Sequence, residues 1–186
     1  MTMEKTAVTT VAGLMALAAR TAPKGKGVDT ITIRVLGGKE PAALATRLTE
    51  LGEKHGIGFF LRDAKNIARS DACLLIGARG DTIVGVNCGA CGYSTCAEMT
   101  QECKTRNKRT TFFKGPNCAI RMADLGIALG SAVKTAQLHN VDNRIMYSGG
   151  VAAIDLGFMG NDVTVAYAIP LSVTGKNIFF DREHAK

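Results

Sequence analysis

Five of the six cysteines fall in one stretch, in the order Cys88-Gly-Ala-Cys91-Gly-Tyr-Ser-Thr-Cys96, then Cys103, then Gly-Pro-Asn-Cys118. Thiols packed this densely reach one centre only if the backbone curls tightly, and Gly89, Ala90, Gly92 and Ser94 are small enough to permit that curl. Glycines also let backbone N–H groups approach sulfur closely. Hydrogen bonds to cluster sulfurs are one means by which a protein sets a reduction potential.

Softness and spacing decide which metal such a set would take. Four thiolates suit zinc or an iron–sulfur cluster, and structural zinc sites usually present two separate C-x2-C knuckles. Only one knuckle exists here, Cys88 to Cys91, so a compact triad with one remote ligand points to a 4Fe-4S cluster; zinc and unligated thiols are the alternatives. The spacing differs from the bacterial C-x2-C-x2-C-x3-C-P run and from the plant-type C-x4-C-x2-C. Instead, Cys-x2-Cys-Gly-x3-Cys with a later cysteine beside Pro and Gly looks like the small 4Fe-4S domain of anaerobic electron-transport complex B subunits and of corrinoid iron-sulfur proteins. Over these thirty or so residues the resemblance implies Cys88, Cys91, Cys96 and Cys118 as ligands. The final gap is longer than in that domain and Cys103 is extra, so Cys103 is a rival for the fourth position, or else a thiol on the same helix face as Cys96.

The rest of the chain must position this centre. A length of 186 residues, 46% hydrophobic, suits one domain, 1–186, with the cluster segment inserted at 80–122. The apolar run Val8 to Ala19 is too short to span a bilayer and has helical spacing at Ala7, Val11, Leu14, Met15 and Ala18. It is read as a helix rather than a signal peptide, and the clustered thiols suit a reducing, cytoplasmic interior. No membrane association is expected. The net charge of +7 invites a nucleic-acid reading, but with 5% aromatic residues and no Trp there is little from which to build a stacking platform. Lys104, Arg106, Lys108 and Arg109 are either a solvated face or a dock for an acidic electron-transfer partner.

Alternation predicts a strand over Asp29 to Leu36, and Pro41 with Leu44, Leu48 and Leu51 predicts a helix to His55. A short polar link, Arg62 to Arg69, leads to a buried strand, Ser70 to Ala78, which makes Cys73 a core thiol. The longest helix opens at Asp124 or just before it. Its small residues Gly126, Gly130 and Ser131 suit close packing against another helix or a second subunit. Gly149-Gly150 is expected to break the next segment, with a short helix at Val151 to Leu156 and a last strand, Val163 to Ile169, ending before Pro170.

This order, with a Leu14 to Pro23 helix ending in Ala-Pro, Asp124-Leu-Gly-Ile-Ala-Leu-Gly-Ser-Ala-Val-Lys-Thr-Ala, and Ala166-Tyr-Ala-Ile-Pro, resembles the flavin-dependent nitroreductase fold. Taken whole, the chain is similar to the ferredoxin-domain protein family (DUF2148-like) of bacteria and archaea. The resemblance implies an α/β (α+β) fold, a mixed sheet flanked by helices with an iron–sulfur loop insertion. It also implies an intertwined homodimer, with FMN at the interface as the candidate cofactor. The Arg-rich phosphate motif is missing, and the flavin segment is reduced to Pro23-Lys24-Gly25-Lys26-Gly27. Arg20, Lys24 and Lys26 nonetheless place three cations beside a helix end, where phosphate would suit. Lys176 and Arg182 correspond loosely to the basic residues that meet the phosphate in the resembled fold.

No further catalytic constellation is visible: His55, His139 and His184 stand far apart, and Asp124 and Asp142 with Arg144 read as capping or paired residues. Two functions follow from these residues. One is a cluster-based electron-transfer protein, with a flavin-linked oxidoreductase as its enzymatic form. The other is a non-enzymatic module whose metal site is structural or sensory and whose basic stretch binds a partner.

Overall fold

The computed structural model describes residues 2–106 and 109–180. Helix α1, Met3–Thr21, starts on Thr2, whose hydroxyl accepts from the Lys5 amide, and buries Val8, Val11, Ala12, Met15 and Ala19. The buried stripe is rotated from the expected one. It leaves Leu14 39% and Leu17 62% exposed, because Val8, Ala12 and Ala19 occupy the line that meets the sheet and the long helix Ala119–Leu138. A 3-10 turn, Gly25–Gly27, leads into β1, Ile31–Leu36. Helix α2, Glu40–His55, buries Leu44, Leu48 and Leu51 as the sequence predicts and closes on Gly56 in the left-handed conformation. Helix α3, Gly58–Ala68, starts earlier than the predicted polar link, because Phe60 anchors its first turn in the core as Ile67 anchors its last.

Strand β2, Ala72–Ala78, follows, and then the cysteine-bearing connection with helix α4, Cys96–Thr105. The longest helix, α5, is Ala119–Leu138; after it come β3, Asp142–Asn143, α6, Tyr147–Asp155, and β4, Val165–Ser172. The sheet order is β1-β2-β4-β3, and each of these pairings is antiparallel rather than mixed. Every residue of β2 is buried because both faces of the sheet are covered. Leu74 and Ile76 pack with α1 and α5, while Cys73 and Leu75 pack with α2, α3 and α6. The expected helix–sheet–helix architecture is thus observed.

Two expectations at the C-terminal half are corrected. Gly149 and Gly150 lie inside α6 rather than breaking it. A Cβ on Gly150 would stand 1.8 Å from the Ala166 carbonyl oxygen, and one on Gly149 2.5 Å from the Ala168 Cβ, so the pair exists to let α6 lie directly on β4. Strand β4 also runs through Pro170. Ala168 exchanges both backbone hydrogen bonds with Met146, so Pro170, two residues on, turns its nitrogen to the same side, where the short β3 leaves a gap. Among the described residues no helix is long and apolar enough to cross a membrane.

Candidate metal centre

The segment between β2 and α5 curls as its composition requires. Asn87 and Gly89 both have left-handed φ, 49° and 72°, and the Gly92 amide donates to the Gly89 carbonyl at 2.9 Å. Helix α4 then opens at Cys96. Thr95 caps it by accepting from the Glu98 amide at 3.2 Å, and the Glu98 carboxylate accepts from the Ser94 amide at 3.1 Å. Asn87 and Cys96 hold each other reciprocally: the Asn87 amide donates to the Cys96 sulfur at 3.4 Å, and the Cys96 amide donates to the Asn87 side-chain oxygen at 2.8 Å. The Asn87 hydrogen bond, opposed by burial but reinforced by the amides of Gly85 and Val86 and by the charge of Lys26, holds the Cys96 thiol below its ordinary pKa. This sulfur is prepared to be a thiolate.

Cys88, Cys91, Cys96 and Cys118 all line one small cavity, walled by Val84, Val86, Met99 and Ile120. Cys88 is on its exposed side, and Met99 and Cys118 are buried at its back. Among the described residues no three His, Cys, Asp or Glu side chains are placed to share a single metal ion. The other two cysteines stay outside the cavity. Cys103 donates to the Pro116 carbonyl at 3.5 Å, and burial pushes its thiol pKa up. Cys73 is fully buried in the core, as expected, and burial raises its pKa to about 12.

Cys118 is the residue most firmly tied to the sheet. Its amide donates to the Gly80 carbonyl at 2.7 Å, and the Gly80 amide donates to the Thr164 hydroxyl at 2.9 Å. Thr164 in turn donates to the Asn117 side chain at 2.6 Å. A Cβ on Gly80 would fall 2.2 Å from that Asn117 oxygen, so no larger residue fits this junction. Just beyond, Arg121 is 1% exposed and pairs with Asp124 at 2.9 Å. It also donates to the carbonyls of Gly25, Val28 and Thr82, and Asp124 accepts from the Gly25 amide. One buried ion pair therefore ties the 3-10 turn and the start of the cysteine loop to α5. Sequence reading took Asp124 as paired but missed Arg121, whose partners are distant in the chain.

Of the five cations expected at a flavin phosphate, the four described do not gather at one place. Arg20 donates to Asp29 at 2.5 Å and to the Ile31 carbonyl at 2.8 Å, and Lys24 donates to the carbonyls of Ala19 and Arg20 at the end of α1. Lys26 stands near Cys96. Lys176 lies beyond β4, at the other end of the sheet, since Leu171 pairs with Ala72 and Ile31 with Ala78. Arg182 lies outside the described residues. A different cationic surface does form there: Arg62, Lys65, Asn66, Arg69, Arg144 and Phe180 line a groove of about 430 Å³. Lys65, Arg69 and Arg144 have no carboxylate partner, and Asn66, only 7% exposed, makes no side-chain hydrogen bond, among the described residues. Arg144 lies 5.3 Å from the Phe180 ring centroid. The helical spacing of Arg62, Lys65 and Arg69 was the one sequence signal for this groove.

Residues 114–182 match the family described as "Uncharacterized protein containing a ferredoxin domain (DUF2148)". A protein of Archaeoglobus fulgidus, itself described as uncharacterized, is 49% identical over 173 residues, which is 93% of this chain and 90% of that one. Among solved structures, an oxidoreductase containing FMN superposes with a TM-score of 0.57 at 11% identity over 90% of this chain. Nitroreductase A from Vibrio parahaemolyticus does so with 0.54 at 9% identity, also over 90% of this chain. The chain spans 67% of the first of these structures and 59% of the second, and at such identities the likeness establishes the fold alone. With its cysteine-bearing connection set into a nitroreductase-like fold, and with a relative so similar along nearly its whole length, the chain belongs to the ferredoxin-domain (DUF2148) family.

Proposed function

We propose that this chain is an iron–sulfur electron-transfer protein in which Cys88, Cys91, Cys96 and Cys118 hold a 4Fe-4S cluster. The observation that carries this reading is the sorting of the cysteines: these four surround one cavity, and Cys73 and Cys103 do not. Sulfurs arrayed around a cavity suit a cluster, whereas zinc draws its four donors onto one ion. A bound cluster would accept and release single electrons. The protein's own part is to favour the ionised form of Cys96 through the amides of Asn87, Gly85 and Val86, to fix Cys118 on Gly80, and to exclude water at the back with Met99 and Ile120. Anaerobic preparation followed by absorption and EPR spectroscopy tests it. A brown protein with a cluster signal on reduction is expected, and a colourless protein bearing zinc overturns the reading in favour of a structural or sensory module.

A second cofactor is supported by the groove at the opposite end of β2. Three cations without carboxylate partners among the described residues suit a phosphate, Asn66 offers an amide to a ring edge, and Phe180 offers a ring face, which is what FMN requires. FMN would supply two-electron chemistry and make the protein an oxidoreductase. Flavin fluorescence released by denaturing the purified protein, and lost in an Arg69→Glu variant, is the expected result; its absence from protein refolded with excess FMN overturns this second site.

Assembly completes the reading. Leu17 on α1 and Ile127 and Leu138 on α5 are 62%, 44% and 72% exposed, beside the exposed glycines 126 and 130. A homodimer that covers this face is expected, and light scattering at micromolar concentration should give twice the chain mass of 19.6 kDa. A species of single-chain mass would count against it.

A further inference from the structure

We propose that an acidic single-electron carrier docks on the loop 85–92 beside Lys26. This rests on the cluster reading above and names the partner of that site. The cavity is buried at its back by Met99 and Cys118, whereas every residue from Gly85 to Ala90 is exposed, so the cluster's thinnest cover is this loop. From Thr82 to Ala97 the chain has no charged side chain. Val86, 46% exposed, makes the rim apolar, a surface a partner can desolvate at little cost.

A single cation is fixed at the edge of this rim. The Gly25 amide is held by Asp124, and a Cβ on Gly25 would stand 3.0 Å from Ile120 and 3.5 Å from Val84, both part of the cavity wall. The next residue, Lys26, has φ 53°, a conformation that side-chain-bearing residues rarely adopt. It is exposed, has no carboxylate partner among the described residues, and is near enough to Cys96 for its charge to act on the thiol. The basic stretch expected to be the dock is different. Arg106 pairs with Glu102 and Arg109 with Asp155, while Lys108 lies outside the described residues. Lys104, in the last turn of α4, and Lys26 both lack a carboxylate partner among the described residues, and of the two it is Lys26 whose charge acts on Cys96 and which is placed to steer an acidic carrier to the cluster. In the exchange one electron passes from the reduced carrier to the oxidised cluster, with no bond made or broken and no proton moved.

Stopped-flow reduction by an acidic 2Fe-2S ferredoxin, with methyl viologen radical cation as a small reductant of opposite charge, tests the assignment. Lys26→Glu reverses the charge at the edge of the rim. It should slow the ferredoxin reaction on the order of tenfold at low ionic strength, with the difference fading as salt rises, and should leave the viologen reaction unchanged or faster. An unchanged ferredoxin rate in protein that carries its cluster signal overturns the docking site alone. An equal slowing with both reductants points to an altered potential and overturns it too. A Val86→Asp variant that changes the assembly state but not the ferredoxin rate gives the face to a second copy. If the unaltered protein shows no cluster signal, the proposed function fails and this inference with it.

Discussion

Cys118→Ala should strip the cluster signal from anaerobically prepared protein, and Cys103→Ala should leave it in place. The two thiols were rivals for one role by spacing alone, and their surroundings separate them. Cys118 lines the cavity, and its amide is pinned to Gly80. Cys103 spends its hydrogen on the Pro116 carbonyl and is pushed by burial toward the protonated form, which is a poor ligand state. Removing Cys118 opens one metal position while leaving the backbone junction with Gly80 intact, so circular dichroism should be unchanged while iron and sulfide content fall to background. Removing Cys103 forfeits one weak hydrogen bond, worth at most about 1 kcal/mol. Alanine at Cys88, Cys91 or Cys96 should behave as at Cys118. A cluster retained in Cys118→Ala and lost in Cys103→Ala would reverse the assignment.

The largest loss of stability is expected from Arg121→Met. The guanidinium is buried, pairs with Asp124, and satisfies three backbone carbonyls from two separate segments. Removing one member of such a pair leaves a buried carboxylate without its countercharge, which costs about 3–5 kcal/mol. At roughly 2–4 °C per kcal/mol for a chain of this size, the melting temperature should fall by about 10 °C. The double variant Arg121→Met with Asp124→Leu should recover part of the loss, because no uncompensated charge then remains. Calorimetry of the three proteins measures both effects, and a single-variant melting temperature within a degree of the unaltered protein would show that the pair contributes little.

What the sequence could disclose depended on how local each interaction is. That Cys88, Cys91 and Cys96 come to one cavity was legible because their spacing and the small residues between them lie within a short stretch of chain. The α2 stripe and the buried β2 were legible because burial follows a period of residues in helix and strand. Gly149-Gly150 was misread because a glycine pair in isolation signals a break, and only contact with Ala166 and Ala168 of a later strand shows that it permits close packing. Arg121 gave no signal, since its carbonyl partners lie some forty to a hundred residues away. The cationic groove was hidden for the same reason: it joins α3 to the stretch before α6 and to Phe180, and the helical spacing of Arg62, Lys65 and Arg69 marks only one of its walls.

The attachment of the cysteine loop has a consequence for how the protein matures. Both hydrophobic cores are built from α1, α2, α3, α5, α6 and the sheet, with only Phe112 and Phe113 of the connection packed against them. The loop is fastened mainly at its ends, through Gly80 with Thr164 and through Arg121 with Gly25 and Thr82. A scaffold so constituted would reach its native state without the proposed cluster, and the loop would then open as a separate unit of lower local stability. Amides of β2 and β4 would then resist exchange with solvent equally in metal-free and loaded protein, while those of Gly85 to Cys96 would become protected only on loading. Cofactor insertion would be the closing of a mobile flap onto a finished body, repeatable without unfolding.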